Sequence, residues 1–240
     1  MKKDILIKLE LVLLCLAATA ICSAQAPMVK ASHKTWDVIY DYGHMSPAAV
    51  LWTLQSSDFV GVQNTKPKYF KQDRLLPKPR RKNEDFSFSG YQRGHLCPCG
   101  DRDAKKSWYN DTFYCSNVVL MTGTTNAGAW KETEVSCRGM CANGHILKIV
   151  AGPVWYQTPA KVLPSKYQAP AESNTSVDTP AADALFKIVR CTIHQNEVCA
   201  WIVPNDNTPR HENELRCSED SVLNLLAEPL KSYISVWIKR

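Results

Sequence analysis

From His33 to Leu54 the chain carries the spacing of sheet material, with Trp36, Val38 and Tyr40 at every second position as in a half-buried strand. Gly43 to Pro47 supplies a turn, and Ala49-Val50-Leu51-Trp52-Thr53-Leu54 reads as a second, more buried strand. Gln55 to Asn83 is polar and basic and contains Pro67, Pro77 and Pro79, the composition of a long loop. Strand character returns from Phe86 to Leu96, interrupted at Ser89-Gly90. A short helix is expected from Asp103 to Asn110, where Ala104 and Trp108 share a side. The β-branched and aromatic run Thr112 to Leu120 predicts another strand. Asn126 is placed to cap a helix reaching about Arg138. Further strands are expected over Ile146 to Pro153 and within Phe186 to Ile202, with an exposed Pro/Ser/Thr/Ala-rich excursion, Gln157 to Ala182, between them. Ser218 caps a last helix that opens on Glu219 and Asp220 and buries Val222, Leu223, Leu225 and Leu226. Strands and helices mix without regular alternation, which predicts one α+β domain over residues 25–240.

The first 24 residues stand apart. Lys2, Lys3 and Lys8 precede an apolar run of 12 residues, Leu11 to Cys22, short of the ~20 that span a bilayer. Cys22-Ser23-Ala24 is a small-residue cleavage site, so we expect a signal peptide at 1–24, a secreted or periplasmic protein and no stable membrane association. Without the leader, eight cysteines remain: Cys97, Cys99, Cys115, Cys137, Cys141, Cys191, Cys199 and Cys217. An even number in an exported chain predicts disulfides, with a Cys191–Cys199 bridge across a hairpin. The rival is a zinc site built from Cys97, Cys99, Cys137 and Cys141, whose first pair lacks the usual two-residue gap. Charge is mildly basic, 29 Lys+Arg against 23 Asp+Glu, but it is concentrated. Lys66, Lys68, Lys71, Arg74, Lys78, Arg80, Arg81 and Lys82 are opposed only by Asp73. Such a run is most often a solvated surface loop; placed just before Arg93 and His95, it can also draw in a polyanion by counterion release.

The candidate chemistry follows that run. In Tyr91-Gln92-Arg93-Gly94-His95-Leu96 an imidazole that can take a proton near neutral pH stands beside a guanidinium that can hold phosphate oxygens. Asn117, Asn126 and Glu134 offer oxygens of the kind a hard divalent cation and its water shell accept. Singly these residues are a surface histidine, an ion-pair arginine, a strand-end turn, a helix cap and a solvated acid. In order they form a set. Arg93-Gly94-His95, Asp101-Arg102, Thr112 to Asn117, and Asn126-Ala127-Gly128-Ala129-Trp130 with Glu134 resemble the DNA/RNA non-specific endonucleases, the sugar-non-specific nucleases of the ββα-metal superfamily. The similarity runs from about Val50 to Pro204 and includes Ala151-Gly152-Pro153-Val154 and Val203-Pro204-Asn205.

The resemblance implies a central, mainly antiparallel sheet with flanking helices and a metal-dependent phosphodiesterase acting on DNA and RNA with little sequence preference. It implies His95 as general base, Arg93 as phosphate clamp and Asn126 as the protein ligand of one Mg²⁺, with Mn²⁺ as a substitute. Asn117 and Glu134 order the waters and the site, Lys66 is a further substrate-binding residue, and the products carry 5′-phosphates. The chain departs from the family pattern at Gln92, where an Asp is usual, and at Leu120-Met121. It also has Lys66 in place of a second arginine, which keeps charge and loses the bidentate fork. These departures support a rival expectation, a nuclease-like protein that binds nucleic acid or another polyanion with weakened turnover.

Overall fold

The computed structural model describes residues 28–61, 67, 69–87, 89–156, 162–163, 179–194 and 197–239. The leader, Lys66 and most of the Gln157 to Ala182 excursion lie outside the described residues. In chain order the strands are β1 (Met28–Ser32), β2 (Asp37–Asp41), β3 (Ser46–Leu54), β4 (Gln92–His95), β5 (Val118–Met121), β6 (Leu147–Val154), β7 (Val162–Leu163), β8 (Thr179–Pro180), β9 (Ala184–Cys191), β10 (Val198–Pro204) and β11 (Arg216–Cys217). The α-helices are α1 (Lys106–Asp111), α2 (Gly123–Ala127), α3 (Ala129–Ala142), α4 (Glu219–Leu223) and α5 (Leu230–Lys239). Seven strands form an antiparallel sheet in the order β1-β2-β3-β6-β9-β10-β11. Strands β4 and β5 pair with each other as a separate antiparallel ribbon.

Period-two alternation gives this sheet two apolar faces. On one, Val38, Tyr40, Val50, Trp52, Ile149, Ala151, Leu185, Val189 and Trp201 pack against Leu96, Val119, Met121 and the inner side of α3, including Trp130, Cys137 and Cys141. On the other, Ile39, Ala49, Leu51, Val150, Phe186, Ile188 and Ala200 meet α4 and α5. Helix α5 presents Leu230, Ile234 and Ile238 four residues apart, all buried, and each such side chain contributes about 1.5–3 kcal/mol. The sheet therefore lies between a C-terminal helical layer and the layer holding the β4–β5 ribbon with α2 and α3.

Several boundaries differ from the sequence reading. The predicted Thr112 to Leu120 strand starts at Val118, because Cys115–Asn117 forms a 3-10 turn whose Asn117 side chain is bonded back to the chain. The last helix is two: α4 stops at Leu223, leaving Leu225 exposed, and α5 follows after Pro229. Ser218 does cap α4, accepting from the Ser221 amide at 3.0 Å. Strand β1, pairing Met28 to Ser32 with β2, had no clear alternating signal.

Candidate active site

Strand β4 carries Arg93 and His95 two residues apart, hence on one side of the ribbon. Between them Gly94 is buried, and a Cβ there would stand 2.2 Å from the Met121 sulfur. Only glycine lets Met121 close over the strand. The His95 ring is framed by Phe70, 5.2 Å away, and by Phe113, edge-on at 4.8 Å. Arg93 lies against the same Phe70, its guanidinium carbon 6.0 Å from the ring centre. One Arg93 amino nitrogen donates to the Asn83 carbonyl at 3.1 Å and to the Ser87 hydroxyl at 3.0 Å. Its Nε is buried without an acceptor among the described residues.

The helical half of the site starts one cap earlier than the sequence suggested. Thr122, not Asn126, is the N-cap: its hydroxyl accepts from the Thr125 amide at 3.1 Å. Asn126 sits in the last turn of α2, freed from capping, and donates from Nδ2 to Gln92 Oε1 at 2.7 Å. That bond leaves Oδ1 as the group it can offer to a cation. Gly128 breaks the helix between α2 and α3, where a Cβ would lie 2.6 Å from the Thr124 carbonyl. Just beyond, Trp130 Nε1 donates to the His95 carbonyl at 3.0 Å. The ribbon and the helix pair are thus fastened at both ends of β4, through Gln92 and through His95.

Glu134 is one turn further along α3. Burial pushes its carboxyl up to about 7; Lys187 is the strongest charge acting against that rise, and Asp101 adds to it. Lys187 is fully buried on the central sheet, between Leu185 and Val189 on the same face, and donates to the Thr133 hydroxyl at 2.7 Å. Its ammonium also lies 4.2 Å from the centre of the Trp130 ring. Sequence reasoning missed this residue, although a lone lysine inside the apolar run Leu185-Phe186-Lys187-Ile188 was a signal. Arg138 was missed as well. It holds Asp101 at 2.8 Å, while the other Asp101 oxygen accepts from Trp52 at 3.1 Å. Asn205 ties the ribbon to the sheet, accepting from the Thr122 amide and donating to the Leu120 and Ala182 carbonyls, each at 2.9 Å.

Asn117 requires a correction. It is fully buried, and its amide is spent on the backbone: Oδ1 accepts from the Cys97 amide at 2.8 Å, and Nδ2 donates to the Cys97 and Thr112 carbonyls at 2.8 and 2.9 Å. It cannot order waters around a cation; it fixes the chain that leaves His95. Lys66 lies outside the described residues. Leu120 and Met121 are both fully buried inside the ribbon, so these departures concern packing. In the basic run, Arg81 is also buried and donates to the Met45 carbonyl at 2.9 Å. That arginine is structural.

The eight cysteines are unbridged, and the Cys191 thiol faces His145 at 3.4 Å. Nor do Cys97, Cys99, Cys137 and Cys141 form a metal cluster, since the group of metal-ligating atoms gathered among the described residues is His145, Cys191 and Glu197. A surface hollow of about 550 Å³ runs along the outer side of α3 past Lys131, Glu132, Val135 and His211, and neither Arg93 nor His95 lines it. No helix among the described residues is long and apolar enough to cross a membrane.

Known proteins share this architecture. A chain in a crystal structure of an EndoG/EndoGI complex superposes with a TM-score of 0.67 at 21% identity, covering 84% of each chain. The mitochondrial nuclease EXOG of Homo sapiens is 30% identical over 176 residues, 70% of this chain and 46% of that protein. The Xenopus laevis EXOG is 29% identical over 69% of this chain and 47% of its own. A nuclease of Nostoc sp. is 32% identical over 77% of this chain and 64% of its length. The chain spans about half the length of the Homo sapiens and Xenopus laevis relatives it matches. The family model for DNA/RNA non-specific endonucleases matches residues 19–228. With that match over most of its length, the chain belongs to the DNA/RNA non-specific endonuclease family.

Proposed function

We propose that this protein is an exported, Mg²⁺-dependent endonuclease that hydrolyses DNA and RNA with little sequence preference and leaves 5′-phosphates. The observation that carries the reading is the double fastening of β4. Asn126 is turned by Gln92 at one end, while at the other Trp130 holds the backbone of His95 between two phenylalanines. The residues fit a hard cation: the available donor is the Asn126 amide oxygen, whose partner nitrogen is already committed to Gln92. Asn126 would hold Mg²⁺ or Mn²⁺, which when bound stabilises negative charge building on the scissile phosphate. His95 takes the proton of the attacking water as general base. Arg93 binds a phosphate oxygen, giving its buried Nε the acceptor it lacks. Glu134 sits where a proton can be held or released near pH 7. The burial of Leu120 and Met121 favours turnover over a binding-only protein, because neither departure enters the site.

Export rests on the Lys2/Lys3/Lys8 leader and its apolar run, and it carries with it one domain over 25–240. Purified protein should nick plasmid and degrade RNA with Mg²⁺ and stop in EDTA. His95→Ala should lose about 10²–10⁴-fold in rate. Cleavage that persists through both treatments rejects this mechanism.

A further inference from the structure

At the end of the sheet where β6 and β10 begin and β9 ends, three strand ends bring unlike ligand groups together. His145 precedes β6, Cys191 ends β9 and Glu197 precedes β10. His145 Nδ1 lies 3.4 Å from the Cys191 sulfur and 3.2 Å from a Glu197 carboxylate oxygen, and the three ligand atoms fall within 4.8 Å of one another. One imidazole N–H cannot be directed well at both a sulfur and a carboxylate. A cation in place of that proton satisfies all three donors. The backbone is already set for it: the Cys191 amide donates to the Glu197 carbonyl at 3.0 Å, and the Thr192 amide to the Ile146 carbonyl at 2.8 Å. The His194 amide points at the Cys191 sulfur from 3.3 Å, the outer hydrogen bond that favours a thiolate. The sulfur is buried, while His145 and Glu197 reach solvent, so an ion has an entry side.

We propose that His145, Cys191 and Glu197 bind a zinc-class divalent ion that clasps the β9–β10 hairpin to the chain leaving α3. Sulfur, imidazole and carboxylate together suit zinc and exclude magnesium, which prefers oxygen alone. Binding ionises the thiol and releases its proton to solvent. The His194 ring lies nearby, its centre 5.5 Å from that of His145. This site is independent of the nuclease reading.

The full chain is dialysed in excess Mg²⁺ to fill hard oxygen sites, then titrated with Zn²⁺ and, separately, with Co²⁺. One equivalent of zinc should be retained. Cobalt should give a thiolate charge-transfer band that disappears in Cys191→Ala and His145→Ala, while Cys217→Ser keeps it. Glu197→Gln, at a half-exposed side chain, should weaken zinc at least about tenfold with unchanged circular dichroism. It serves as the decisive variant should the first two fail to fold. Zinc binding indifferent to these changes overturns the proposal. So does peptide mapping that finds Cys191 in a disulfide in protein offered zinc.

Discussion

Asn117→Ala separates a structural asparagine from a catalytic one. The wild-type amide makes three buried bonds of 2.8–2.9 Å, to the Cys97 amide, the Cys97 carbonyl and the Thr112 carbonyl. Alanine leaves all three backbone groups buried without that partner, and each orphan costs about 1–3 kcal/mol. A water entering the vacated volume recovers part of this, so the net loss should be about 3–5 kcal/mol. The neighbouring backbone bonds, Leu96 amide to Asn117 carbonyl and Asn117 amide to Tyr114 carbonyl, survive the change. Against a total stability of about 5–15 kcal/mol, urea unfolding should show a midpoint shifted far down with an unaltered slope. Asn117→Asp should be at least as damaging, since its second oxygen would face two carbonyls. A variant that unfolds within about 1 kcal/mol of wild type while losing nearly all turnover would refute this reasoning and return Asn117 to the reacting centre.

Gln92→Ala removes the acceptor that turns Asn126. Because Gln92 is exposed, stability should change by no more than about 0.5 kcal/mol, while the Mg²⁺ needed for half-maximal cleavage rises about 10–100-fold. An unchanged metal requirement would show that Asn126 needs no such partner. Glu134 predicts a pH effect on folding. Its carboxyl titrates at about 7 in the folded chain against an ordinary 4.5, so the native state binds that proton more tightly than the unfolded one. Its contribution to stability is complete below the ordinary value and is lost as pH rises through about 7. Glu134→Gln should flatten the fall in Tm across that window, and Lys187→Met should move the window upward by removing the largest opposing charge. Parallel Tm profiles for wild type and Glu134→Gln would exclude the effect.

Where one rule governed a segment, the sequence was enough. Strands β2, β3, β6, β9 and β10 follow from apolar spacing, and the Ser218 cap follows from a serine ahead of two acids. Arg93, His95, Asn126 and Glu134, which the sequence set in order, all lie on the β4–β5 ribbon or on the helix pair packed beside it. Assignment failed where one residue type serves two ends. Asparagine caps helices and also clamps backbone, and no local pattern shows that Asn117 closes on Cys97, 20 positions earlier. Thr122 competed with Asn126 for the cap and won because its hydroxyl reaches both the Thr125 amide and the Asp206 carbonyl, the latter contributed by a distant segment. Lys187 could not be placed before Thr133 and Trp130 were known to lie above it.

The buried lysine also explains how one sheet face can support a polar site without loosening its core. Along β9 the inward residues run Leu185, Lys187, Val189, and an ammonium at the middle position is tolerable only with partners above it. Helix α3 supplies them within about one turn: the Trp130 ring face, the Thr133 hydroxyl and the Glu134 carboxyl. The first of these residues also bonds the His95 carbonyl. Displacing α3 by a fraction of a turn would therefore strand a buried cation and release His95 in one movement. The sheet fixes the helix register through charge, and the helix hands that register to the imidazole through Trp130.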